Sequence, residues 1–306
     1  MNISKIEHNK TNWINTYKIG KEELDFLSSN FPFSSENIEE CKKNTQHSAI
    51  MVYQDYIFIF MLFPIYNRET EEIESTELNI FLKDNVFITV HDNKLLSILD
   101  FFNNLEVDEA LRDKYFTGNP VIILYELLDR LLDSYFPMLD HINEDIEKLE
   151  KYIFSGAEYK NTEKILKIRQ NIVTFRRTMQ SHKNIIQKLV AKGDGLFSMN
   201  SLKLHYNNLI EQLKDIWMII ESQKESVEIL NETNESLISF ELNNIMKALT
   251  VLSIVIAVPS LIITIFSVAA KGTPFINETY GFISLIFVSL FCIFPVIWFF
   301  KKRKWL

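Results

Sequence analysis

Residues 242–270 read LNNIMKALTVLSIVIAVPSLIITIFSVAA. From 248 to 270 the run carries no charge, and at about 1.5 Å rise per residue it can cross a hydrocarbon core roughly 30 Å thick. A buried helix of a soluble protein can be as apolar, but it seldom stays uncharged for so long. The stretch is read as a transmembrane helix, and the rest of the chain either feeds it or follows it out.

Upstream, neither Gly nor Pro occurs between Gly195 and Pro259. Leu202, Tyr206, Leu209, Leu213, Ile216, Ile220, Val227, Leu230 and Leu237 keep a seven-residue rhythm, with polar interruptions at Gln223, Asn234 and Glu241. The expectation is a stalk helix over 196–247 that continues into the span at 248–270, on the order of 100 Å in all. A stiff rod of this kind can pass rotation or tilt between a soluble domain and a membrane.

Downstream come a loop at 271–280, a second uncharged run at 281–300 and a basic tail at 301–306, KKRKWL. Lys247 precedes the first span and Lys301, Lys302, Arg303 and Lys304 follow the second, while the loop holds Lys271 and Glu278. The positive-inside rule puts both termini in the cytoplasm and the loop outside, as in a multi-pass protein of the cell membrane. The opening MNISKIEHNK lacks the apolar core of a cleavable export signal, so the N-terminal part is expected to stay cytoplasmic.

Residues 1–192 read as an α/β cytoplasmic domain. YIFIFMLFP at 56–64 is an apolar run of strand length bounded by Pro64, and LNIFLKDNVFITV at 78–90 reads as two strands broken by a turn at Lys83-Asp84-Asn85. Lys94 opens a helical segment with Leu95, Ile98, Leu99 and Phe102 on one face. Leu139, Ile142, Ile146, Leu149 and Ile153, then Ile165, Ile168, Ile172, Phe175 and Met179, predict a helical hairpin within about 137–192, interrupted at Ser155-Gly156-Ala157.

The chain has 306 residues and a formal net charge of −8 despite its basic tail. An acidic soluble part disfavours nucleic acid and suits the attraction of cations. Cys41 and Cys292 lie too far apart for a disulfide framework or a CxxC metal site. Gly193-Asp194-Gly195 is a turn without the Lys-Ser/Thr of a phosphate loop. The six histidines form no HxxxH or HExxH spacing, and GxSxG and GxGxxG are absent, so no enzyme and no cofactor is expected. Asp140, Glu144 and Glu147 share one helix face; they read as a solvated acidic face or as weak ligands for hydrated divalent cations.

Two membrane helices cannot enclose an aqueous path, so any conduction needs several copies around one axis. The first helix is the candidate lining, because Asn243, Thr250, Ser253, Ser260, Thr264 and Ser267 interrupt its apolar run. Their hydroxyls have an alternative, which is to bond their own backbone.

ELNIFLKDNVFITVHD at 77–92, ELLDRLLDSYFPMLDHINEDIEKLE at 126–150, LNNIMKALT at 242–250, Pro259 in mid-span and the terminal KKRKWL resemble the CorA-type divalent metal transporters, in that family's order. The resemblance implies a funnel-shaped homopentamer with an α/β cytoplasmic domain, a stalk helix that becomes the pore lining, and an outer ring of second spans. It implies Mg2+ as transported and regulatory ion, or Co2+, Ni2+ or Zn2+. It places Asn243, Met246 and Leu249 in the cytoplasmic half of a pore, the two apolar residues forming a gate that closes by dewetting, and Glu232 at an acidic ring.

The chain departs from the family at the outer mouth. Ser267-Val268-Ala269 stands where the family has Gly-Met-Asn, and Thr273-Pro274-Phe275-Ile276 replaces its Met-Pro-Glu-Leu. Two expectations follow. One is a divalent cation transporter with Ser260 along its pathway that recruits ions differently, through Ser267, Thr264, backbone carbonyls or Glu278, with altered selectivity or affinity. The other is a non-conducting scaffold or sensor that kept the assembly and lost transport. The regulatory metal ligands are left unassigned.

Overall fold

Two strands open the chain, β1 (Ile3–His8) and β2 (Thr11–Tyr17), joined by Asn9 and Lys10, whose φ of 44° and 66° make the tight turn. Helices α1 (Lys21–Asn30) and α2 (Ser35–Glu40) follow, then a meander of β3 (Ala49–Val52), β4 (Ile57–Asn67), β5 (Glu72–Lys83) and β6 (Val86–His91). The sheet order is β1-β2-β6-β5-β4-β3; β2 and β6 run parallel and every other neighbouring pair is antiparallel. The structure, a computed structural model, describes residues 2–42, 47–155, 160–268, 280–303 and 305. The break at Gly156-Ala157, Ala269, Glu278 and most of the loop at 271–280 lie outside them.

The central strands read as unbroken apolar runs because both faces of the sheet are covered. Ile57, Ile59, Met61 and Phe63 of β4 point to one core, and Phe58, Phe60 and Leu62 to the other. The second core is closed by Leu27 of α1, Ile38 of α2 and Phe33 of the segment between them. The larger one is closed by α3 (Leu96–Val107), α4 (Glu109–Tyr115), α5 (Pro120–Asp133), α6 (Tyr135–Phe154), α7 (Lys160–Met179), α8 (His182–Lys192) and the start of α9 (Lys203–Ser267). All ten apolar residues named for the helical hairpin are buried on α6 and α7.

Four sequence readings change in detail. Pro64 does not end its strand: it pairs with Ser75 inside β4. The neighbour β3 covers only Ile57–Phe60, so beyond that point β4 has a free edge, where a missing N–H breaks no ladder. On α3 the buried face is Ile98, Phe101, Phe102 and Leu105, with Leu99 half-buried. The long helix begins at Lys203 and not at 196, after a turn in which Asp194 accepts from the Met199 N–H at 3.3 Å. Leu237 is 41% exposed, although Leu202 to Leu230 in the same rhythm are buried.

Two compact units are defined, Met1–Leu230 and Asn231–Leu306. The second contains the remainder of α9, α10 (Gly281–Phe291) and α11 (Ile293–Lys302). The second apolar run is therefore kinked near Cys292, where the backbone stays helical (φ −67°, ψ −16°). Pro295 is the cause, since it lacks the N–H that would reach the Phe291 carbonyl and its ring crowds that oxygen. Pro259 leaves α9 continuous.

Candidate functional site

Positions 232, 236, 239, 243, 246, 250, 253, 257, 260, 264 and 267 step alternately by four and three, the spacing that holds one seam of a helix toward a shared axis. Their occupants are Glu232, Ser236, Ser239, Asn243, Met246, Thr250, Ser253, Ala257, Ser260, Thr264 and Ser267. Only Met246 is bulky and apolar; Leu249 lies one step to the side. All are exposed along α9. The buried or half-buried residues of the span are Val251, Ile254, Val255, Val258, Pro259, Ile262 and Phe266; none is on the seam, and all but Ile254 lie on the far side of the helix. The chain by itself leaves the polar seam uncovered.

The five hydroxyls of the seam from Thr250 to Ser267 have fixed roles. Thr250 donates to the Met246 carbonyl at 2.7 Å, Ser253 to Leu249 at 2.8 Å, Ser260 to Ile256 at 2.8 Å, Thr264 to Ser260 at 2.7 Å and Ser267 to Thr264 at 2.7 Å. The backbone bonding left open by the sequence is made at every one of them. It does not remove them from ion chemistry. A hydroxyl whose proton is committed to a carbonyl still presents its lone pairs outward, and lone pairs are what a hard cation or the protons of its hydration water require.

Among the residues singled out from sequence, Glu232, Asn243, Met246, Ser260, Thr264 and Ser267 fall on the seam, Leu249 and Val268 lie off it, and Ala269 and Glu278 are outside the described residues. Ser236, Ser239 and Ala257 were not singled out, although the seven-residue spacing that reveals them is present in the sequence. Asp140, Glu144 and Glu147 stay exposed; Lys148 lies 3.5 Å from Glu144, and Asn143 donates to Glu147 at 2.9 Å. No group of three or more His, Cys, Asp or Glu side chains is placed to hold a metal ion among the described residues.

The two buried histidines serve structure. His182 donates to the Leu62 carbonyl at 2.7 Å inside the core, and His91 pairs with Asn15 at 2.9 Å. Burial pushes both down to about 4, so they are neutral at physiological pH. Of the others, His8 contacts Asp113, His141 contacts Tyr66 and His205 packs edge-on against Tyr125.

The spans are apolar along their length, and only 6% of the most apolar window in each is buried. At the end of α11 the Lys302 ammonium lies 5.2 Å from the Trp298 ring and Trp305 packs on Phe300. Tryptophan beside lysine suits the boundary between lipid and water.

Known proteins share this architecture from end to end. The chain is 23% identical over 297 residues to the cobalt/magnesium transport protein CorA of Methanocaldococcus jannaschii, covering 96% of this chain and 91% of that one. It is 22% identical over 275 residues to the cobalt/magnesium transport protein CorA of Thermotoga maritima, covering 88% and 76%. The complete structure of the CorA magnesium transporter from Methanocaldococcus jannaschii superposes with a TM-score of 0.81 at 21% identity, over 98% of this chain and 94% of that one. The full-length CmaX protein gives 0.72 at 14% identity, over 96% and 89%. A single family model, that of the CorA-like Mg2+ transporter protein, matches residues 8–303, through the soluble sheet, the long helix and both spans, and the chain belongs to that family.

Proposed function

We propose that copies of this chain assemble around an axis lined by α9 and conduct Mg2+, or a related divalent cation such as Co2+, Ni2+ or Zn2+, across the cell membrane. The observation that carries the reading is the seam from Glu232 to Ser267. A helix that met only lipid would have no reason to keep a line of Ser, Thr and Asn at coiled-coil spacing. The two relatives described above are cobalt/magnesium transport proteins, which supports the same reading.

Each seam position forms a ring when copies meet. Mg2+ sheds water reluctantly and usually travels with part of its shell. Rings of Thr250, Ser253, Ser260, Thr264 and Ser267 accept from that water, because their own protons already point into the backbone. Asn243 adds an amide ring, and Glu232 an acidic ring that concentrates cations. Met246, with Leu249 at its flank, forms the narrow apolar collar at which the pore dewets and shuts. At the outer mouth Ser267 and Val268, with Ala269 and Glu278, do the work that a Gly-Met-Asn triplet would do in the family pattern.

The assembly is a homopentamer. The spans are 248–270 and 281–300, the loop at 271–280 is external, and the domain at 1–192, the stalk helix and the tail at 301–306 are cytoplasmic. The soluble part senses the transported ion.

Uptake of Mg2+, Co2+, Ni2+ and Zn2+ into proteoliposomes tests the reading. Saturable uptake of at least one ion, reduced when Asn243 is changed to Leu, is the expected result. A well-folded oligomer that moves none of the four would leave a non-conducting scaffold as the better account.

A further inference from the structure

The first unit holds a cavity of about 630 Å³ at one end of the sheet, within the range of about 300–1,000 Å³ common for small-molecule sites. It opens where the parallel strands β2 and β6 end, and in sheets with helices on both faces the crevice beyond the carboxyl ends of such strands is a usual place for ligands. In a chain of net charge −8, this cavity is lined by four cations: Lys18 just after β2, Lys42 after α2, Lys94 after β6, and Arg177 in the last turn of α7.

The cations are poorly neutralised. Asp92 lies 3.5 Å from Lys94 and accepts from Thr76 at 2.6 Å, so that pair cancels. Among the described residues, no carboxylate lies within ion-pair distance of Lys18, Lys42 or Arg177. Glu77 is the other acid on the wall. His91 is neutral, and burial raises the Cys41 thiol far above its ordinary range, so neither adds charge.

A second feature points the same way. Asn79 of β5 lines the cavity, is 2% exposed, and its side-chain oxygen has no hydrogen-bond partner. A buried amide without a partner costs free energy unless a ligand or water satisfies it. Oxygen and nitrogen of an amide can exchange places by a flip, so Asn79 can offer either an acceptor or a donor. Leu62 and Val90 add apolar wall to the same cavity.

We propose that this cavity binds a phosphorylated small molecule with an apolar body, of nucleotide size. Its phosphates lie against Arg177, Lys18 and Lys42, the guanidinium gripping two oxygens at once. Asn79 bonds the polar edge of the body, which rests on the apolar wall. A lone phosphate would leave most of the volume unfilled.

The test uses the full chain in detergent with a chelator present, and measures ATP and inorganic pyrophosphate by equilibrium dialysis. One saturable ATP site per protomer is expected, weaker as salt rises, and pyrophosphate should bind less tightly. Arg177→Gln and Lys18→Gln, both at exposed positions, should each lower ATP affinity about tenfold while leaving the ligand-free melting temperature unchanged. Lys167→Gln, outside the cavity, should change nothing. Absence of saturable binding overturns the proposal, as does binding indifferent to Arg177 and Lys18. Phosphatidylglycerol vesicles supply the lipid arm: if vesicles engage these residues and ATP does not, the small-molecule assignment is wrong. No ion flux enters this assay, so its outcome is separate from that of the transport reading.

Discussion

His182 is wholly buried, its ring 5.1 Å from Phe63 and 6.3 Å from Tyr135, with Nε2–H spent on the Leu62 carbonyl and Nδ1 without a partner. In the unfolded chain an imidazole takes its proton near pH 6.5, whereas the folded His182 refuses it until about 4. The unfolded state therefore binds more protons across that window. The contribution to stability is complete above about pH 6.5 and is lost as the pH falls toward 4, on the order of 3 kcal/mol. Denaturant unfolding at pH 7 and pH 4.5 should show this slope, and His182→Gln, which keeps a donor for Leu62, should flatten it; an unchanged slope would assign the acid sensitivity to other groups. His91 adds a second contribution of the same sign. Nothing near His182 in the chain announces this role, because its partner carbonyl is 120 residues away. If Met246 forms the proposed collar, Met246→Ser should raise resting cation flux severalfold in proteoliposomes by wetting the constriction; a flux that is unchanged or lower would overturn that role.

Helix α9 carries the next prediction. With Cys292 replaced by Ala and Cys41 buried, single cysteines placed from 246 to 267 should react with a membrane-impermeant thiol reagent at 250, 253, 257, 260 and 264, and stay protected at 251, 255, 258 and 262. Reactivity without that period would mean that the seam does not face water. Existence of the span was plain from its apolar run, and the same run hid the seam's continuity, since Ala257 looks like any other small apolar residue. The kink in the second span is legible in principle at Pro295. Apolarity and length identify a span without specifying whether its helix is straight. For Pro64 the error ran the other way: proline ends a strand only where its nitrogen faces a partner, and the reach of β3 cannot be read from the residues around Pro64.

For the whole molecule, native mass spectrometry in detergent should give a particle of five protomers of 36.0 kDa each. A monomer would leave the exposed seam unexplained. The α/β class was legible because turns and apolar runs are local signals, as at Asp84, whose φ of 48° makes the β5–β6 turn. The basic cavity was not, because Lys18, Lys42, Lys94 and Arg177 come from four separate segments with no common pattern. The place of β2 beside β6 bears on how the protein is made. Antiparallel strands β3 to β6 can zip as they leave the ribosome, but the β1–β2 hairpin has no neighbour until β6 emerges about 70 residues later, several seconds at roughly 5–20 residues per second. During that interval the edge of Thr11–Tyr17 that will meet Val86–His91 is unsatisfied backbone. The nascent N-terminus is thus the segment with most need of a chaperone, and slowed translation between the two strands should lower the yield of folded protein more than slowing anywhere within the meander.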